Sequence, residues 1–371
     1  MHIMRWTFLL LSLCGCFPPF TWKTPLKKLL FKIYTVLSFM FLHSLFLCQI
    51  LDLVYNVENM EDFSDNIPVT AILWLTSIKV AILLIYRENF LFLYDTLQTE
   101  PFLPMNAEEF EILLKFDKIT DWNTIAYTIL FAFSDIFIII VSLPTNFKKR
   151  ELGFRTWVPY DYSSASAFLL TVAYQFICGT ICSFGCVASD SLYSSLLIHI
   201  SCQFEILEHR LKNIKSNRNY SVKLCVRHHN RIYKYGEMVN KEFKTIMLFQ
   251  FCTSLCAICF NFDRITQIKM DSKVVGTALY LISSLIQLLY YCWFGNEVKL
   301  KSLEFSDVIF RSDWISLNNN IKKAFLMLMR RAMRPIEFTS VYVISVNLEF
   351  FMTLVKTSYS AYNLFQQTRE S

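Results

Sequence analysis

Glycine, proline and charge are scarce in this sequence, and each shortage excludes something. Seven Gly and nine Pro among 371 residues leave no room for collagen-like or linker-rich architectures. Charged residues make up only 18%, against roughly 25% in an ordinary soluble domain. The motifs G-x-x-x-x-G-K, G-x-G-x-x-G, G-x-S-x-G and H-E-x-x-H are missing. The hydrophilic loops are also too short to house a soluble catalytic domain, so no enzyme and no cofactor is expected. The six His show no ligand spacing backed by carboxylates, which leaves no metal site. A net charge of +6 is modest and gathers in a few loops, which excludes a nucleic-acid face.

What is abundant is apolar. Residues AVILMFWYC form 54% of the chain, 16% is aromatic, and the mean hydropathy is +0.38. Such an excess has to face lipid, so a polytopic membrane protein is predicted. A helix needs about 20 apolar residues to cross a bilayer. Seven stretches qualify: 30–50, 67–86, 124–143, 166–188, 243–262, 274–294 and about 338–365. No ten-residue alternating pattern of a barrel is present, so the fold class is all-α with seven transmembrane helices. Pro68 sits in the first turn of the second span, Pro144 is expected to end the third, and Pro335 precedes the last. The segment 190–242 is expected to prolong the fourth span beyond the membrane. The first twenty residues are read as an amphipathic segment on the inner membrane surface, because Lys23, Lys27, Lys28 and Lys32 follow at once.

Lysine and arginine set the orientation. Loops alternate between two sides, and 24 of these residues fall in 1–29, 87–123, 189–242 and 295–337, against 8 in 51–66, 144–165, 263–273 and 366–371. By the positive-inside rule the first set is cytoplasmic, so the N-terminus is inside and the C-terminus outside. The twelve Cys agree, since none lies in the four outer segments. Cys178, Cys182 and Cys186, like Cys252, Cys256 and Cys259, have helical spacing and read as small packing residues. The only sequon, Asn219-Tyr220-Ser221, falls inside and is expected to stay unmodified.

Two ionisable residues lie within early spans. Lys79 is expected to snorkel to the inner face, and Asp135 needs a partner or a polar cavity. The last span carries the clearest pattern. Glu349, Thr353, Lys356, Ser360, Asn363 and Gln367 recur on one helical face. Phe351, Leu354, Val355, Tyr362 and Phe365 occupy the opposite face, with Ser358 its one polar member. Such a stripe lines either a helix–helix seam or water. Several copies around an axis form a conduit, with Leu364 placed to gate by dewetting.

The residues at this end are similar to a known family. Tyr291-Cys292-Trp293-Phe294-Gly295-Asn296-Glu297, Trp314, Lys323, Arg331, Arg334-Pro335, Leu348-Glu349-Phe350, Lys356-Thr357-Ser358-Tyr359-Ser360 and Leu364 resemble the C-terminal signature of insect odorant receptors. Leu13-Cys14-Gly15 and Asp65-Asn66 fit more loosely. Ala361 stands where the family commonly has an aromatic, and Asn363 where Thr is usual.

The resemblance implies a ligand-gated, non-selective cation channel in the plasma membrane of olfactory sensory neuron dendrites. It implies a heterotetramer, in which a variable tuning subunit assembles with a shared co-receptor. The loop insertion of a co-receptor is absent here, which favours a tuning subunit. Residues 1–337 would form the odorant-binding bundle, with an intracellular anchor from about 190–242 and 295–337. Residues 338–371 would form the pore helix and a short outer tail. The implied gate position is Leu364, with Ser360 and Asn363 beside it, and the stripe adds Glu349, Thr353 and Lys356 as pore candidates along the same face, passed by permeant cations. The implied pocket lies in the outer halves of spans two, three, four and six. At that depth stand Leu73, Trp74, Phe133, Phe137, Phe168, Val172, Tyr280 and Ser284, suited to a small volatile hydrophobic odorant. A gustatory-type channel of the same architecture is the second reading, and a G-protein-coupled receptor or transporter the third.

Overall fold

The computed structural model describes residues 3–370 apart from 58, 150–151, 153–154, 214–218, 268–271, 313, 315–317 and 342–343. In chain order the elements are α1 (Arg5–Leu13), α2 (Pro25–Tyr55), α3 (Met60–Ile85), α4 (Arg87–Thr96), α5 (Ala107–Lys149), α6 (Ala165–Lys212), α7 (Asn219–Gln267), α8 (Ser272–Arg311), α9 (Asn319–Ala332), β1 (Thr339–Ser340), β2 (Ile344–Ser345) and α10 (Leu348–Glu370). The seven spans fall on α2, α3, α5, α6, α7, α8 and α10. Five of these, α2, α3, α6, α7 and α8, are by length and composition alone apolar enough to cross a membrane. The all-α fold class stands, with each predicted span carried by its own helix.

Local chemistry sets the helix starts. Pro25 occupies the first turn of α2, where its missing N–H costs nothing. Side-chain oxygens of Asn59, Ser164 and Asn318 accept from backbone N–H groups of α3, α6 and α9 respectively. At 1.5 Å per residue, α6 and α7 run to roughly 70 Å, more than twice the hydrocarbon thickness. The spare length forms a helical body at one end, called here the Arg210 end. The opposite end is called the Arg155 end. There Arg155 bonds the Asp62 carboxylate and donates to the Asn56 carbonyl at 3.3 Å, with Asp52 Oδ2 3.9 Å away.

Packing is uneven along α6. Every residue from Gly185 to Ile200 is buried, which makes this stretch the axis of the molecule. Nearer the Arg155 end, residues such as Leu169, Leu170, Phe176 and Ile177 are exposed on the same helix.

Four expectations are corrected. The last span begins at Leu348, because β1 and β2 pair antiparallel just before it. Thr339 pairs with Ser345 and Ser340 with Ile344, and Val346 N donates to Phe338 O at 2.8 Å. Asn240 of α7 clamps β1, accepting from Thr339 N at 2.9 Å. Pro144 does not end the third span, since α5 continues helical to Lys149. Residues 1–20 do not simply lie on the membrane. Thr7, Phe8, Leu10 and Leu11 of α1 are buried against the bundle. Thr7 Oγ1 lies 2.8 Å from Ser195 Oγ and 3.2 Å from Thr124 Oγ1, and Met4 N donates to Asp117 at 2.8 Å. Finally, Lys79 does not snorkel, as described below. The sequon side chains and those of the basic run 148–150 lie outside the described residues.

Candidate functional site

The site has three levels, beginning with an ion pair inside the bundle. Lys79 Nζ of α3 meets Asp190 Oδ1 of α6 at 2.6 Å, and both side chains are 0% exposed. A carboxylate offers about four acceptor positions, and here four nitrogen and oxygen donors reach it. Tyr291 OH donates to Oδ1 at 2.6 Å; Gln287 Nε2 and Tyr127 OH donate to Oδ2 at 2.7 and 3.2 Å. The Tyr291 ring also faces Lys79 Nζ at 5.4 Å. Gln250 of α7 donates to Gln287 Oε1 at 3.1 Å. One polar knot thus ties α3, α5, α6, α7 and α8 together. A charged lysine is stable here because its partner is buried with it.

The sequence places Asp190 at the start of the segment expected to prolong the fourth span, with no partner assigned to it. A signal existed. Cys178, Cys182, Cys186 and Asp190 follow at steps of four, so the cysteine face of α6 leads straight to the carboxylate. Cys186 Sγ accordingly accepts from Lys79 Nζ at 3.4 Å and from Gln287 Nε2 at 2.9 Å.

Between this knot and the Arg155 end lie the expected pocket residues. Leu73, Phe168 and Ser284 are buried, while Val172 and Tyr280 are half-buried. Tyr280 OH donates to Pro68 O at 2.7 Å, bridging α8 to the proline turn of α3. Ser284 Oγ donates to the Tyr280 carbonyl at 2.9 Å. Two of the set stand outside this group: Trp74 is 40% exposed, edge-on to Phe249, and Phe133 is 63% exposed. Phe137 lies half-buried with its ring 6.1 Å from that of Phe133. Sequence depth alone could not tell inward from outward faces at these two positions. A further small cleft, about 10 Å³ and lined by Cys14, Ser38, Leu42, Val80, Ile181 and Gly185, has room for a single water.

Polar steps also line this level. Cys182 Sγ donates to Thr76 Oγ1 at 3.3 Å, and Ser134 Oγ is 3.4 Å from Ser283 Oγ.

The third level is α10, which packs on α7 and α8 through Leu354, Ser358 and the Phe251–Phe350 ring contact. Glu349, Thr353, Lys356, Ser360, Asn363 and Leu364 are all exposed, Leu364 by 67%. The polar stripe is thus not a seam within this chain. Thr353 and Ser360 satisfy their hydroxyls on the carbonyls one turn back, at 2.9 and 3.0 Å. Gly295 of α8 meets the base of this helix so closely that a Cβ there would lie 2.6 Å from Val346 O.

At the Arg210 end, Arg210 binds both Glu109 oxygens at 3.0 and 2.8 Å and caps the Pro101 and Leu103 carbonyls, each at 2.8 Å. Burial and this guanidinium hold His228 neutral, far below the usual imidazole range. Burial alone lowers His199 to about 4. Large apolar side chains stay exposed on this body, among them Phe310, Leu326, Met327 and Met333.

Comparison with known proteins agrees with this architecture. A family model described as the 7tm odorant receptor matches residues 59–359. Odorant receptor 67c of Drosophila melanogaster is 22% identical over 367 residues, covering 93% of this chain and 90% of that one. Odorant receptor Or1 of Anopheles gambiae is 23% identical over 304 residues, 72% of each chain. The structure of the insect olfactory receptor OR5 from Machilis hrabei in complex with eugenol superposes with a TM-score of 0.88 at 17% identity, covering 98% of this chain and 97% of that one.

Proposed function

Since the chain belongs to the insect odorant receptor family, we propose that it is a tuning subunit of an odorant-gated, non-selective cation channel. The observation that carries this reading is the exposed polar face of α10. Glu349 and Lys356 in a membrane helix are costly against lipid, and the chain itself does not cover them. Other subunits arranged around the same axis supply the missing surroundings, with water between them. Leu364 then sits where a ring of apolar side chains closes the conduit by dewetting.

Orientation follows the basic residues. The Arg210 end, rich in Lys and Arg, faces the cytoplasm, and the Arg155 end faces outward. Odorant enters from that side into the loosely packed halves of α3, α5, α6 and α8. The exposed apolar side chains of the Arg210 end serve as the intersubunit anchor, with a shared co-receptor completing a heterotetramer. Ligand gates the channel by binding the open arrangement more tightly than the closed one. The protein would act in the plasma membrane of olfactory neuron dendrites.

The test is current in cells expressing this chain with a co-receptor. A panel of volatile odorants should evoke cation current that the co-receptor alone does not give. Leu364→Ala should change basal or evoked current. Unchanged current and permeability in that variant count against Leu364 as the gate. An externally accessible C-terminal tag is expected; external access to an N-terminal tag would instead revive the G-protein-coupled reading.

A further inference from the structure

Helix α10 is fastened to α7 at both ends, and the two fastenings differ in kind. Near its start the contact is apolar, between the Phe251 and Phe350 rings at 4.8 Å. Its far end is held by a carboxyl group. Gln366 Nε2 donates to Asp263 Oδ1 of α7 at 2.9 Å, and Asp263 is buried at 1% exposure. Beside this bond the Phe262 ring meets those of Tyr359 and Tyr362, each at 6.1 Å. Gln366 follows Leu364 by two residues, about 200° around the helix. It is half-buried against the bundle while Leu364 is exposed.

Asp263 also reaches α3. Ser64 Oγ donates to its other oxygen, Oδ2, at 3.4 Å, and the Phe63 and Phe260 rings meet edge-on at 5.9 Å. One turn further along α3, the Pro68 carbonyl accepts from Tyr280 OH of α8 at 2.7 Å. Pro68 lies inside the helix and has no N–H for the Ser64 carbonyl, so the turn between these two anchor points lacks its backbone hydrogen bond. Such a turn is where a helix bends. One side of it is fastened to Tyr280 and the other to Asp263, and Asp263 is fastened to α10.

We propose that Asp263 is the positioning residue that couples the odorant pocket to the gate. It carries a change at the proline turn of α3, set by Tyr280, to the far end of α10 and so to Leu364. This rests on the reading that Tyr280 borders the odorant and that Leu364 closes the conduit. A ligand shifts a gate only as far as its own affinity differs between the two arrangements. Asp263 makes that difference felt at α10, because one of its oxygens is held from α3 and the other holds Gln366. Without it, odorant still binds but its effect on α10 is weakened.

The test takes dose–response curves on cells expressing this chain with a co-receptor, for a volatile panel that begins with eugenol, 4-methylphenol and hexan-1-ol. Gln366→Leu keeps a helix-compatible side chain of similar size, so it is the variant safest for folding. It should raise the half-maximal concentration, or lower the ratio of evoked to basal current, by about fivefold. Ser64→Ala should move the same quantity in the same direction. Added to Gln366→Leu it should bring no further change, because both act through one carboxyl group. Asp263→Leu should match Gln366→Leu. Asp263→Asn, which still accepts from Gln366, should retain most of the coupling, and a loss as deep as in Asp263→Leu counts against the assignment. Surface biotinylation corrects for delivery, since a purely structural role lowers delivery and total current while leaving sensitivity and ratio alone. Wild-type sensitivity and ratio in Gln366→Leu, or effects of Ser64→Ala and Gln366→Leu that multiply, overturn the assignment and leave the channel reading intact. Silence of the unaltered chain towards the whole panel, with co-receptor agonist current still present, overturns the odorant reading and the assignment together.

Discussion

Lys79 and Asp190 stand 111 residues apart in the chain and 2.6 Å apart in the fold, with no exposure of either side chain. Removing one partner strands the other charge in the bundle, which typically costs about 3–5 kcal/mol, whereas replacing both with apolar residues is often near neutral. Lys79→Ala and Asp190→Ala are each expected to lower thermal stability and surface delivery sharply. The double variant Lys79→Met with Asp190→Leu should recover much of both. Thermal unfolding of purified protein and surface biotinylation measure this, and a double variant as poor as the singles contradicts it.

Gly295 of α8 lies close against the Val346 carbonyl, two residues before α10 begins. An added methyl would meet the Val346 carbonyl at 2.6 Å, and backbone cannot swing aside as a side chain can. Gly295→Ala should therefore cost about 1–3 kcal/mol or displace α10, with altered basal current. Gly179→Ala is the control: its Cβ enters open space and should leave basal current unchanged.

His199 is buried, and neither ring nitrogen has a hydrogen-bond partner among the described residues. Asp117 Oδ1 lies 3.8 Å from Nε2, too far for a hydrogen bond. Burial holds the imidazole neutral, down to about 4. The unfolded chain then binds the proton first as pH falls, so stability contributed by neutral His199 is present above about 6.5 and is lost progressively towards pH 4. The midpoint of thermal unfolding should fall between pH 7.5 and 5, and less steeply in His199→Phe. Parallel slopes would contradict this.

Tyr280 spans from α8 to the Pro68 carbonyl of α3 at 2.7 Å. Tyr280→Phe leaves that carbonyl without this donor, at a cost of about 1 kcal/mol. Odorant sensitivity should shift several-fold while current carried by the co-receptor alone is untouched. An unchanged dose–response for every active odorant would remove Tyr280 from the pocket.

The helices and the α10 stripe were legible in the sequence because both depend on local periodicity. Glu349, Thr353, Lys356, Ser360 and Asn363 repeat at helical spacing, and their common face stays a common face whatever the fold does. Lys79 was misread because its partner is distant in sequence, and snorkelling was the nearest local solution. The helix through Asp190 is legible, but its burial is not, since a hydrophilic stretch that prolongs a span looks exposed until the helices packed against it are known. Trp74 and Phe133 show the same limit for the pocket: hydropathy gives depth in the membrane and not the direction a side chain faces. The β1–β2 pairing escaped because two-residue strands leave no alternating pattern to detect.

The polar face of α10 as the water-lined wall of the conduit is tested most directly by thiol accessibility. Ser360 lies on the exposed face and Ser358, two residues away, is fully buried against the bundle. Cysteine is placed at each position, and a membrane-impermeant thiol reagent is applied during odorant-evoked current in cells that also express a co-receptor. The expected result is irreversible change of current in Ser360→Cys and none in Ser358→Cys. Modification of Ser358→Cys with Ser360→Cys unaffected would contradict a pore lined by this face.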